Sequence, residues 1–280
     1  MPETIRELIT TDTGTEGSKL IVKTIYDTLW DAVEKAKISR ELAAIYFGPK
    51  DIPGSSIDVD LVTADSMAVS LVSEGAPFII RTEEYTSFNM KPKKYGVAPK
   101  ITREMIEDGK FPLLEHNIKT AGKEIAENET ALIISNALDS AANTVSGSSA
   151  ITIANITRAM QYLEDNDYEA TDFLFGPEIA NDMRNIDTFV EADKLGSREM
   201  LEKGYLGTIY GMRCWKISGS LITSSYAYVI DRNQAFVIAE KRPVTIEGYD
   251  DVLHDMSGAV ISQRIACSAL RTKAIAKITT

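Results

Sequence analysis

The side chains suited to acid–base, nucleophilic or metal chemistry are few and scattered in this chain. Its two histidines, His116 and His254, stand at no ligand spacing from any cluster of Cys, His, Asp or Glu. Its two cysteines, Cys214 and Cys267, sit in the apolar strand-like runs Met-Arg-Cys-Trp-Lys-Ile and Ile-Ala-Cys-Ser-Ala-Leu. Buried free thiols in a reducing compartment are the expectation, ahead of a disulfide or a metal site. HExxH, CxxC, GxSxG and Walker patterns do not occur. The glycines of Gly204-Tyr-Leu-Gly207-Thr-Ile-Tyr-Gly211 have the wrong spacing for a dinucleotide turn and precede a strand, so they read as turn chemistry. Adjacent carboxylates recur at Glu83-Glu84, Glu107-Asp108 and Asp250-Asp251, the kind of pair that general acid–base catalysis uses. A chain with 41 acids produces such pairs by chance, and nothing around them signals a pocket that would shift a pKa. These residues point to no enzyme, no cofactor and no metal.

The charges say more as surfaces than as reagents. Formal net charge is −11, from 30 bases and 41 acids, which argues against a protein whose main task is gripping nucleic acid. Residues 163–199 hold eleven acids against three bases, whereas residues 91–103 hold five bases (Lys91, Lys93, Lys94, Lys100, Arg103) and no acid. Opposite patches on one chain suit self-association. Residues 1–40 carry six bases and seven acids, so they are no DNA-binding tail. With 280 residues, 44% hydrophobic and 25% charged, the composition is that of a soluble globular protein of one large or two modest domains. No apolar run approaches the roughly 18 residues of a membrane span, and Met-Pro-Glu-Thr-Ile-Arg-Glu-Leu is no signal sequence. The expectation is a cytoplasmic protein with no membrane partner.

The elements that must position these charges follow from periodicity. A polar arm precedes a helix at 19–36, capped by Ser18, and Gly48-Pro49 and Pro53-Gly54 then break the chain. Residues 57–63 alternate as a strand with one apolar face. Residues 78–91 form a longer strand that is polar on both faces, with Arg81, Glu83 and Ser87 on one and Thr82, Glu84 and Thr86 on the other. The connector Ser66–Ala76 is small and moderately apolar, with Met67, Val69, Leu71 and Val72. Such a hairpin is marginal alone and is expected to be completed by another subunit. A short strand then ends at Pro99, an acidic turn carries Glu107 and Asp108, and a long helix runs over 112–138. Its apolar stripe is Leu114, Ile118, Ala121, Ile125 and Leu132, interrupted by Asn128. Gly147-Ser-Ser marks a boundary.

Beyond it, helix and strand alternate. A helix capped by Thr152 spans 152–164, Phe173–Phe175 is a buried strand, and Pro177 opens a short helix through Met183. Residues 184–203 read as polar loop, with helix near 197–203. Strands are expected at 209–217, 226–231, 234–239, 243–249 and 258–267, the last two joined by the polar loop Asp250–Ser257, and a final strand starts at Ala274.

In this order the elements resemble those of the major capsid proteins of tailed double-stranded DNA viruses, the Hong Kong 97 type capsid fold that encapsulin shells share. Three stretches carry the resemblance, over about residues 20–280. They are Lys94-Tyr-Gly-Val-Ala-Pro-Lys-Ile-Thr-Arg-Glu-Met-Ile-Glu-Asp entering the long helix; Gly204-Tyr-Leu-Gly-Thr-Ile-Tyr-Gly-Met-Arg-Cys-Trp-Lys-Ile-Ser; and the finish from Tyr228-Val-Ile-Asp-Arg-Asn-Gln-Ala-Phe through Lys241-Arg-Pro-Val-Thr-Ile-Glu to Gln263-Arg-Ile-Ala-Cys.

The resemblance implies an α+β fold with an N-terminal arm at 1–54 and an extended E-loop at 55–92. It implies a peripheral domain with a spine helix at 93–145 and 240–272, and an axial domain at 146–239 and 273–280. It implies a virion protein, assembled in the host cytoplasm, that builds hexamers and pentamers of itself into an icosahedral shell enclosing double-stranded DNA non-specifically. Portal, scaffolding and decoration proteins would be its further partners. An encapsulin-type compartment is the alternative, and a soluble α/β enzyme the third class. The candidate contacts between subunits are Met67, Val69, Leu71, Arg81, Glu83 and Glu84 on the hairpin, the bases Lys91, Lys93, Lys94 and Arg103, and the acids Glu107, Asp108, Asp250 and Asp251. Charge opposition suggests that Lys91–Arg103 meets a neighbour's Glu83, Glu84, Asp250 or Asp251. Two departures from the pattern stand out. Some relatives join an E-loop Lys to a peripheral Asn covalently, yet Ser66–Ala76 has no Lys and residues 240–280 have no Asn, so no crosslink is expected. Only about 50 residues precede the E-loop, so scaffolding is expected from another protein or from a removed upstream part.

Overall fold

The computed structural model describes residues 39–64, 71–74, 77–78, 84–102, 104–105, 113–147, 150–186, 208–251 and 254–280. The helix expected at 19–36, the acidic turn with Glu107 and Asp108, and the loop with helix at 197–203 lie outside them.

Two sheets and a long helix organise the chain. The first sheet has five strands: β1 (Ile45–Phe47), β4 (Lys93–Val97), β5 (Lys100–Thr102), β11 (Phe236–Asp251) and β12 (Met256–Ala269). Its axis is the antiparallel pair β11–β12, with the parallel β1 on one edge and β4 and β5 on the other. The expectation of separate strands at 234–239 and 243–249 is corrected here, because β11 is one unbroken strand of 16 residues. Lys241-Arg242-Pro243 looks like a breaker, but the register slips between Glu240 and Arg242 and again between Arg242 and Thr245. Bulges of this kind absorb a proline that cannot donate to the ladder.

The long helix α1 (Leu113–Asn136) lies across this sheet and continues into a short 3₁₀ turn, Leu138–Ser140. It buries Ile118, Ala121 and Ile125 against Val244 and Ile261. The expected stripe is adjusted further along. Asn128 and Leu132 are only half-buried, and the buried positions are Ala126, Glu129, Ile133 and Ile134.

The second sheet has six strands in the order β6 (Asn143–Ser146), β13 (Ile275–Thr279), β10 (Tyr226–Ile230), β7 (Asp172–Phe175), β9 (Met212–Lys216) and β8 (Thr208–Ile209). The single strand expected at 209–217 is instead the hairpin β8–β9, turned by Tyr210 and Gly211, both at positive φ. Gly211 (φ 86°) supplies at no steric cost a conformation that side chains resist. Alternation along β7 feeds two cores. Phe173 and Phe175 face α2 (Ile153–Glu164) and α3 (Pro177–Asn185), while Leu174 packs with Tyr228 and Ile275 against the end of α1. Thr152 caps α2, its side chain accepting from the Asn155 N–H, and Pro177 opens α3, both as expected. The core under α1 also takes Phe236, Ile238 and Ile265 from the first sheet, so it joins the two sheets.

A separate two-stranded ribbon, β2 (Ile57–Ala64) with β3 (Glu84–Met90), pairs from Ile57↔Met90 to Ala64↔Glu84.

Candidate subunit interface

Among the described residues, the ribbon packs on the rest of the chain at one end. Val59 and Met90 are buried with Ile52, Val237, Ala239 and Leu270, and Ile57, Leu61 and Phe88 pack around them. This root sits on the face of the β11–β12 pair opposite α1. Away from the root the exposed large apolar side chains are Tyr85 (70% exposed), Phe78 (83%) and Leu71 (101%). Large apolar groups exposed in this way are the kind of surface that another chain covers. Leu71, one of the expected contact residues, is fully exposed. Met67, Val69, Arg81 and Glu83 lie outside the described residues, as does Arg103, while Glu84 is described only as the first residue of β3.

The basic segment divides. Lys91, Lys93, Lys94 and Lys100 are all exposed, but the sheet register sends them to different places. Lys93 is opposite Ile265, whose side chain packs under α1, so it points to the helix side. Lys94 is opposite Arg264, and Arg264 is opposite Arg242, so Lys94, Arg264 and Arg242 share the other face in one row. Lys100 is opposite Gly258 near the far end of β12. Asp250 and Asp251 belong to that same end, opposite Ser257 and Met256, with β5 on the other side of β12. Sequence alone singled out Lys94 but missed Arg242 and Arg264, because only the register shows that three strands bring them together.

A buried ion cluster fastens the segment before β1 to the helix and the sheet. Arg40 donates from Nη2 to Glu240 Oε1 at 2.5 Å and from Nε to Glu129 Oε1 at 3.5 Å. Glu129 and Glu240 are 1% and 2% exposed. The Tyr46 hydroxyl donates to Glu240 Oε2, and Arg40 stands 5.2 Å over the Tyr46 ring. Burial alone would lower the Arg40 pKa, but the carboxylates of Glu129 and Glu240 outweigh it and raise the value. Tyr46 is raised too, by burial first and then by its bond to Glu240. In the second sheet Arg232 grips Asp172 with Nη2 at 2.8 Å and Nε at 3.1 Å, and Trp215 donates to the same carboxylate at 2.7 Å.

Where α1 meets the second sheet, a cleft of about 330 Å³ is lined by Asn128, Leu132, Leu221, Tyr226, Tyr228 and Asp139, among others. The Tyr228 hydroxyl and Lys277 Nζ both donate to Asp139, at 2.8 and 2.7 Å, and Lys277 lies 3.8 Å from the Tyr226 ring. Asp139 is thus held in the wall of the cleft by two donors. His116 and His254 are exposed. Among the described residues, no group of three or more His, Cys, Asp or Glu is placed to hold a metal, and no helix is long and apolar enough to cross a membrane. Cys214 and Cys267 are free but half-buried, more accessible than the sequence suggested. Burial raises Cys214 to about 12 and Cys267 to about 11.

The sequence matches the phage capsid family model over residues 17–280, and the chain belongs to that family. It is a structural capsid protein, a virion component that associates with copies of itself. Its fold is of the Hong Kong 97 type. The structure is similar to that of Mycobacterium phage Che8 at a TM-score of 0.65 and 13% identity, covering 80% of this chain and 84% of that one. It is similar to the capsid of the cyanophage P-SCSP1u at a TM-score of 0.67 and 15% identity, covering 87% and 88%. It is also similar to the virus-like particle from Pyrococcus furiosus at a TM-score of 0.60 and 15% identity, covering 92% and 99%. A comparison with curated proteins finds no match.

Proposed function

We propose that this major capsid protein assembles into pentamers and hexamers that close an icosahedral shell around double-stranded DNA in a virion put together in the host cytoplasm. The observation that carries this is the ribbon: rooted in its own subunit through Val59 and Met90, it exposes Tyr85, Phe78 and Leu71 beyond the root. On this reading 55–92 is the E-loop and lies across the adjacent subunit. The arm is 1–54, the peripheral domain 93–145 and 240–272, and the axial domain 146–239 and 273–280. Heterologous contacts of this kind close into rings, and many modest contacts together make a stable shell. The net charge of −11 suits a container, because a wall that is not strongly basic leaves packaged phosphates free to move. Portal, scaffolding and decoration proteins are the other partners of such a shell.

Electron microscopy of the protein, expressed alone and with its genomic neighbours, tests this reading. Closed particles are expected. Small soluble oligomers under every condition would remove it. The second reading, a compartment for protein cargo, draws on the near-complete coverage of the Pyrococcus furiosus particle subunit. Purified particles that hold protein and no nucleic acid would favour it.

A further inference from the structure

We propose that the row Lys94–Arg264–Arg242 is the receptor for the acidic ribbon of a second copy of this chain. This rests on the shell reading above and names the surface at which one of its joints closes.

Three bases stand side by side on three adjacent strands of one sheet face, Lys94 on β4, Arg264 on β12 and Arg242 on β11. Like charges directly opposite on a sheet repel, and a fold keeps such a row where something else neutralises it. Their own subunit supplies no carboxylate among the described residues. Arg242 donates to Ser262 Oγ at 2.7 Å, Arg264 donates to the Pro92 carbonyl at 3.3 Å, and Lys94 is exposed. Arg242 Nε is buried without an acceptor. Two other half-buried arginines are paired with acids, Arg40 with two glutamates and Arg232 with a bidentate aspartate, while Arg271 Nε, like Arg242 Nε, has no acceptor.

The next row on this face, Gly96, Ser262 and Thr245, is a floor of small residues beside the bases. The strands are close enough that a Cβ on Gly96 would stand 2.8 Å from the Ile261 carbonyl oxygen. The nearest acid on the face beyond this floor is the exposed Glu247. On the other side of the row, Ala239 and Ala266 carry the root of the subunit's own ribbon.

The occupant follows from charge. Residues 55–90 hold six acids (Asp58, Asp60, Asp65, Glu74, Glu83, Glu84) and one base, Arg81. Asp58 and Asp60 are exposed and make no ion pair with the row of their own subunit. A guanidinium fork takes a carboxylate through two parallel hydrogen bonds, which gives register as well as attraction. The acidic balance of the whole chain favours a second copy over nucleic acid as the source of negative charge.

The test is a charge swap read by particle yield. Lys94→Glu with Arg264→Glu reverses the row, and Asp58→Lys with Asp60→Lys reverses the ribbon. Each pair should cut the yield ~10-fold while the subunit stays folded, and the four changes together should restore most of it. Lys216→Glu with Lys273→Glu, at exposed bases outside the row, matches the first pair in charge and should assemble like the parent. If Arg264→Glu does not fold, Lys94→Glu with Arg264→Gln gives the same reading. Normal assembly of the row variant overturns the proposal, as does an equal loss in the matched control or a swap that restores nothing. Full-yield particles that package less DNA would assign the row to phosphate instead and overturn it too. If the parent chain forms no particles at all, the shell reading fails first and the row falls with it.

Discussion

Arg40 and Glu240 meet at 2.5 Å although 200 positions separate them in sequence. This contact closes the segment ahead of β1 onto the middle of β11, beside the bulge that turns Arg242 to the opposite face. Arg40 also reaches Glu129 on α1, so one guanidinium ties three elements together.

Replacing Arg40 with Met should therefore destabilise the subunit by about 3 kcal/mol, because the buried Glu240 carboxylate loses its guanidinium and Glu129 loses one of its partners while the shape of the site is otherwise kept. Urea unfolding of the isolated subunit measures it. Adding Glu240→Gln should recover part of the loss. A change under about 0.5 kcal/mol, the size of an ordinary surface substitution, would show that the cluster is a passive contact.

Alkaline pH should loosen the same subunit. Cys214 and Cys267 have folded-state values of about 12 and about 11, raised from an ordinary value of 9.0, and Tyr46 and Tyr228 are raised as well. In each case the folded state holds the proton more tightly than the unfolded chain. Their contribution is complete below pH 9 and is lost as pH climbs from there through the folded values. Melting temperature should be flat from pH 7 to about 9 and then fall. For the same reason both thiols should react slowly with iodoacetamide at pH 8 in the folded subunit and fast in urea. Rapid alkylation of the native protein at pH 8 would show the burial to be ineffective.

The apolar side chains of the ribbon should matter to the shell and not to the subunit. Leu71 is fully exposed and Phe78 nearly so, so replacing both with Ser removes no packing from the isolated chain. Unfolding should stay within about 0.5 kcal/mol of the parent. Assembly yield should drop, because the large apolar groups at an interface carry most of its energy. Unchanged assembly would place the contact elsewhere on the ribbon.

No covalent oligomer should form during assembly. Ser66–Ala76 carries no Lys and residues 240–280 no Asn, so an amide link between those two regions has neither reactant. A single band on denaturing gels of assembled particles is the expected result. A ladder of multiples would require a different pair of residues.

What was legible in the sequence was whatever local chemistry decides. Thr152 in front of an apolar 3.6-residue period fixed α2, and Pro177 fixed the start of α3. The run Phe173–Phe175 could only be a buried strand. β11 was harder, since Lys241-Arg242-Pro243 reads as a break and only the partner strand shows that bulges carry the ladder through it. β1 and β6 were invisible because each is a short parallel edge strand, held by a strand far along the chain. Glu129 was hidden for the same reason, since the arginine that lets it sit inside lies 89 positions earlier. The candidate contact surface was legible in part. The paired strands of the ribbon followed from alternation, but Lys91–Arg103 looked like one patch. Register alone separates Lys94, which joins Arg264 and Arg242, from Lys93, which faces the helix side.

Gly96 sits where β4 comes close to β12. It lies on β4 opposite Ser262, and a side chain there would begin 2.8 Å from the Ile261 carbonyl oxygen and 3.1 Å from Ser262 Cβ. Both neighbours are part of the central strand β12, pinned by β11 on its far edge and by α1 above, so they have little freedom to yield. The edge strand must move instead. Gly96→Val should push β4 off β12, cost about 1–3 kcal/mol, and displace Lys94 from the side of Arg264. Hydrogen exchange of the β4 amides reports it, with protection lost there and kept along β11. Equal protection in the variant and the parent would mean that the two strands separate enough to admit a side chain without losing their ladder.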